Sequence, residues 1–178
     1  TDVEVWRQLE SCRRRGADLF RQYLDDVRWA VDSLGRIPVV LVAPPTMSDV
    51  ATGANPKPGT GRTGWIWQAY REVAAEDPDV TLVDGGALLT PDDRWVERLP
   101  CLPGEDCPAT APGSTGPATA VVRSPDGIHL CSGPFAGVRT DGGCPAAMPG
   151  PYRFAAVTAD AVAARLGADE SLVARIGK

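Results

Sequence analysis

An α/β fold with parallel strands is the class this chain predicts, and three features carry the prediction. Residues 37–43, Ile-Pro-Val-Val-Leu-Val-Ala, form a continuous apolar run rich in β-branched side chains. Such a run marks a strand buried on both faces, hence a central strand of a parallel sheet. Residues 80–84, Val-Thr-Leu-Val-Asp, read as the next strand. Helical periodicity lies before the first strand and again between the two. Helix, strand, helix, strand at this spacing requires crossover connections, and those make the strands parallel.

In order along the chain, residues 1–5 alternate apolar and polar side chains and read as the end of a strand or a loop leaving one. Thr1 is a nucleophile only where an α-amino group serves as its base; a cleavage product or any other chain start gives the same terminus. A short helical piece is expected from Trp6 to about Arg15. Residues 16–34 then predict a long amphipathic helix. Phe20, Leu24, Val27, Val31 and Leu34 recur at helical spacing, and Leu19, Tyr23 and Ala30 widen the face. Arg21, Asp25, Asp26 and Arg28 occupy the other side, and Gly35 is placed to end the helix.

Pro44-Pro45 stops the first strand, and residues 46–62 read as a loop with Gly53, Pro56, Pro58, Gly59 and Gly61. Thr63 is positioned to cap a helix over 64–76, in which Trp65, Ala69 and Val73 form one apolar stripe and Ile66, Tyr70 and Ala74 another. Asp77-Pro78-Asp79 turns the chain into the second strand. From 90 to 120 the sequence predicts mostly irregular structure, with Trp95 pinning its start. A last helix beginning at Pro151 offers Phe154, Val157, Ala161, Val162 and Leu166 to the sheet, and 169–176 add a turn or two.

The bulk numbers exclude several classes. A length of 178 residues suits one domain with a real core, and 43% hydrophobic content is ordinary for a globular protein. Eighteen basic against 23 acidic side chains leave a net charge of −5, which argues against nucleic acid as a partner. The short basic run Arg13-Arg14-Arg15 reads as a solvated helix surface. No apolar run approaches the roughly 20 residues of a membrane span. No glycine-rich phosphate loop follows a strand, so no dinucleotide cofactor is expected.

Five cysteines point to an oxidising, extracellular compartment. Cys101 and Cys107 bracket one Pro/Gly loop, Cys131 and Cys144 another. Loops with few apolar residues gain order from crosslinks, so two local disulfides are expected, though other pairings stay open. Zinc is the alternative reading, disfavoured because no Cys-x-x-Cys pair occurs; no metal site is expected. Cys12 is left over, either free and buried or paired elsewhere.

The chemistry-bearing stretch is Arg123-Ser124-Pro125-Asp126-Gly127-Ile128-His129-Leu130-Cys131. It holds the only histidine, the one side chain whose unperturbed charge changes near neutral pH. Asp126 stands three positions before it. Gly127 between them is free to take a positive φ, and Ile128 is available to anchor the turn in a core. A carboxylate beside an imidazole holds one tautomer and stabilises the imidazolium formed in a transition state. A solvated or capping histidine is the plainer reading of the same spacing.

Asp126-Gly127-Ile128-His129, followed by a last helix, resembles the Asp-x-x-His block of the SGNH (GDSL-type) hydrolases, and 121–130 look most like their secreted actinobacterial branch. The resemblance implies a three-layer α/β/α fold with a parallel central sheet, flavodoxin-like and incomplete at the N-terminus. Residues 1–178 would be the C-terminal portion of one such domain, with disulfide-stapled loops over 90–120 and 131–150. It implies a serine ester hydrolase in which His129 is the general base and Asp126 its orienting acid. The serine would come from an N-terminal segment or a second chain. Asp32-Ser33-Leu34-Gly35 imitates the nucleophile block, but it closes a helix, whereas the nucleophile of this fold follows a strand and opens one. In the family the loop after such a central strand lines the pocket, which makes Thr46, Met47 and Ser48 candidate substrate contacts. The implied substrate is an ester or an O-acylated glycan. An O-acyltransferase of the same mechanism and a catalytically degenerate secreted module that binds glycan or protein are the alternatives.

Overall fold

The structure, a computed structural model, describes residues 2–48, 62–103, 105, 116–124, 127–130, 149–167 and 171, with the side chains of 2–16, 62 and 63 outside that set. It is a mixed α/β arrangement. Helix α1 runs Asp2–Ser33, strand β1 Val39–Ala43, helix α2 Arg62–Glu76, strand β2 Val80–Asp84. A 3-10 turn at Pro91–Asp93 leads to β3, Arg98–Pro100, and β4, Thr119–Val121; helix α3 spans Pro149–Arg165.

Strands β1 and β2 pair in parallel, Val39 opposite Val80 through Ala43 opposite Asp84. The crossover reading of the sequence therefore holds for this pair. β1 begins at Val39 rather than residue 37, because Pro38 has no N–H to give a ladder and biases its predecessor. Val39–Val42 are half-buried, with only Ala43 fully enclosed, so burial on both faces is not reached among the described residues.

α1 is one helix of 32 residues, which corrects the expected strand or loop over residues 2–5 and the break near Arg15. No proline interrupts 2–16, and Arg, Gln, Leu and Glu there are strong helix formers, so a single interior Gly16, costing about 1 kcal/mol, does not end it. It ends where Gly35 takes φ +64° and returns its N–H to the Asp32 carbonyl. Thr63 lies inside α2, which starts at Arg62, and so does not cap it.

Leu24, Val31, Ala69, Val73 and Val80 form a buried cluster, with Phe20, Tyr23, Val27, Val39, Leu41 and Ala74 packed on it. Full burial of such a Leu or Val stabilises by about 1.5–3 kcal/mol relative to exposure. The Tyr23 and Tyr70 rings stack between α1 and α2 with centroids 6.5 Å apart. Arg28 of α1 bridges to Glu76 of α2, its Nε donating at 2.8 Å.

The region expected to be irregular between 90 and 120 contains an antiparallel pair, Arg98 opposite Val121 and Pro100 opposite Thr119. Pro100 has no N–H to donate, which a short edge strand tolerates. A second cluster, Leu89, Ala120 and Val122, is fully buried and gathers Leu99, Cys101, Leu130 and Phe154. Phe154 is the predicted sheet-facing residue of α3 that packs here. Val162 and Leu166 instead stand exposed, at 40% and 80%.

Arg153 of α3 and Glu105 are both almost fully enclosed and meet in two hydrogen bonds of 2.7 Å. The same guanidinium donates to the carbonyls of Pro100 at 2.6 Å and Leu88 at 3.3 Å, while Glu105 accepts the Leu102 N–H at 2.8 Å. Every charge in this knot is answered, the condition under which a buried ion pair is tolerated.

Candidate functional site

The site grows from the carboxyl end of the β1–β2 pair. β1 stops at Pro44-Pro45, and the half-buried residues Thr46, Met47 and Ser48 continue past it. On the neighbouring strand, the Gly85 N–H donates to the Ala43 carbonyl and Asp84 Oδ1 accepts the Gly86 N–H at 2.8 Å. A Cβ on Gly86 would stand 3.0 Å from the Cα of Pro45, so the two strand exits touch.

The histidine turn arrives from β4. The Val122 N–H bonds the Glu97 carbonyl, and Arg123 forms an antiparallel bridge with Leu130. Between them the Ser124 N–H donates to the His129 carbonyl at 2.9 Å and the Gly127 N–H to the Ser124 carbonyl at 3.0 Å. Gly127 is buried with φ +75°, the conformation its sequence position allowed for. Ile128 is 39% exposed and does not anchor the turn; Leu130 does, packed on the second cluster.

The Ser48 N–H donates to the Gly127 carbonyl at 2.9 Å. Two stretches singled out separately in the sequence, the loop after β1 and the turn that bears His129, are thereby joined. His129 itself is exposed. An accessible imidazole on a turn held by backbone hydrogen bonds is able to take and return a proton. Asp126 lies outside the described residues, as do Cys107, Cys131 and Cys144 and the side chain of Cys12. Cys101 is held in a disulfide, whose other half is not among the described side chains.

Sequence reasoning assigned nothing to Arg123. Its side chain is completely buried, and Nη2 donates to the Ile128 carbonyl at 2.9 Å. No local pattern marks it, since arginine is ordinarily a surface residue. Ser33, the imitation nucleophile, bonds its own helix instead, donating to the Trp29 carbonyl at 2.6 Å.

A cavity of about 220 Å³ lies at the opposite pole, between the ends of α1 and α2 and the start of β2, lined by Arg28, Asp32, Glu76, Asp77 and neighbours. Hydrogen bonding from Arg28 holds the Glu76 carboxyl below its usual range against some desolvation. Burial, followed by the hydrogen bond with Tyr70, pushes the Tyr23 phenol up. Neither group reaches the histidine turn. Among the described residues no cluster of three or more His, Cys, Asp or Glu side chains is arranged to hold a metal ion, and no helix is long and apolar enough to cross a membrane. Comparison with protein-family models, with curated proteins and with solved structures finds no match to this chain.

Proposed function

We propose that this chain carries the acid–base half of a secreted serine ester hydrolase of SGNH type. The observation that carries the reading is the hydrogen bond from Ser48 to Gly127. It sets the His129 turn at the carboxyl end of a parallel strand pair, where open α/β sheets bind their ligands. The layered α/β/α arrangement belongs to the same proposal. Val39 and Leu41 pack toward α1 and α2, whereas a Cβ on Gly85 would lie near both Phe154 of α3 and Val42; alternation along β1 puts Val42 on the other face. The disulfide at Cys101 supports an oxidising compartment.

In this mechanism a serine hydroxyl from a segment outside the chain attacks the acyl carbon of an ester or O-acylated glycan. His129 takes the hydroxyl proton and returns it to the leaving alcohol. It then deprotonates the water, or a second alcohol in the acyltransferase variant, that attacks the acyl carbon, and gives that proton to the serine oxygen as the acyl–serine bond breaks. Asp126 orients the ring. Such a base contributes about 10²–10⁴-fold in rate. Thr46, Met47 and Ser48 border the acyl site.

Fluorophosphonate labelling of the secreted protein that contains this chain tests the reading. Labelling that drops to background in His129→Ala is the expected result. Labelling indifferent to that substitution, or none in the wild type, overturns it in favour of the binding module.

A further inference from the structure

We propose that Arg123 is a positioning residue for His129, acting through the backbone of the turn rather than on any substrate. This rests on the assignment of His129 as the base, but its test does not use activity.

Two peptide planes meet at the Cα of His129, and each has its carbonyl held. The Ile128 carbonyl, in the plane that ends at the His129 nitrogen, accepts from Arg123 Nη2 at 2.9 Å. The His129 carbonyl, in the plane that leaves it, accepts from the Ser124 N–H at 2.9 Å. Peptide planes are rigid, so fixing both fixes the direction of the Cα–Cβ bond and with it the arc the imidazole sweeps. The ring is exposed, so the direction its backbone gives it sets the space it can reach.

Arg123 is suited to this work. It is 0% exposed, its backbone bridges Leu130, and its own N–H reaches the Glu97 carbonyl at 3.3 Å. The guanidinium therefore projects from an anchored base. Enclosing a guanidinium is unfavourable before its interactions are counted, and an apolar side chain would fill the same core without that cost. What the apolar residue lacks is a donor for Ile128.

The experiment uses Arg123→Lys and Arg123→Met in the intact chain, with circular dichroism establishing that each is folded. Hydrogen exchange reads the Ser124 amide, and NMR reads the ring of the sole histidine, which gives one side-chain signal. The proposal expects Ser124 exchange to quicken about tenfold, as loss of a hydrogen bond to a charged donor implies, and the His129 ring signal to broaden or divide. The Leu41 and Val83 amides, in the β1–β2 ladder, should change less than about twofold, as distant sites do. A uniform rise at all these amides, an unchanged Ser124 amide and ring signal, or failure of both variants to fold makes Arg123 a stability residue only and overturns the proposal. Absence of fluorophosphonate labelling in the wild-type protein, with these signatures observed, would sink the enzyme reading and leave the role of Arg123 standing.

Discussion

Ser48 and Gly127, far apart in the chain, share one hydrogen bond of 2.9 Å between backbone groups, and it ties the exit of β1 to the histidine turn. Gly127 supplies that carbonyl from a left-handed conformation, φ +75°, which an L side chain occupies at a cost of about 1–2 kcal/mol. Gly127→Ala should lower the unfolding free energy by that amount, read as a lower urea midpoint with an unchanged slope. It should also speed hydrogen exchange at the Ser48 amide more than at Leu41. An unaltered Ser48 amide would mean that the two loops are not coupled through this carbonyl.

The Arg153–Glu105 pair makes a second prediction. Both side chains are enclosed and doubly bonded to each other. Arg153→Met leaves a carboxylate buried without its cation, a change that costs about 3–5 kcal/mol. Adding Glu105→Leu to Arg153→Met should restore a large share of the loss. Chemical denaturation of the two single variants and the double variant checks this as a thermodynamic cycle.

Tyr23 gives the fold an alkaline limb. Its phenol is pushed up by burial, then by Tyr70, so the folded state holds the proton more tightly than the unfolded chain. The stabilisation is complete below the unfolded value near pH 10 and is lost as pH rises above it. Tyr23→Phe should flatten the fall in thermal midpoint above about pH 10, with little change in its slope near neutrality.

Arg28 and Glu76 give an acid limb of opposite sign. Glu76 is depressed by its hydrogen bond to Arg28, so its contribution is present above the usual carboxylate range and disappears as pH falls through the folded value. Both groups face solvent, and screening by salt should weaken the effect. Arg28→Gln should remove this pH dependence at low salt and change little at high salt, as thermal unfolding between pH 2 and 6 would show.

Strands at 39–43 and 80–84, their parallel pairing, the helices before and between them and the helix after the histidine turn were legible in the linear chain. Each is written in local periodicity, in proline and glycine stops, and in the length of a crossover. The positive φ of Gly127 was legible for the same reason, because a residue without Cβ advertises the conformations it alone takes without cost. The continuity of α1 through Gly16 was not, since one weak position does not outweigh a long run of helix formers. The short β3–β4 pair escaped notice because three-residue strands carry too little pattern. Arg123, Arg153 and Glu105 had no local mark at all: what makes them structural is enclosure, and enclosure is conferred by residues tens of positions away. The join between Ser48 and Gly127 is of that kind too. Backbone donors and acceptors are identical along the chain, so only packing in three dimensions selects which distant pair will meet.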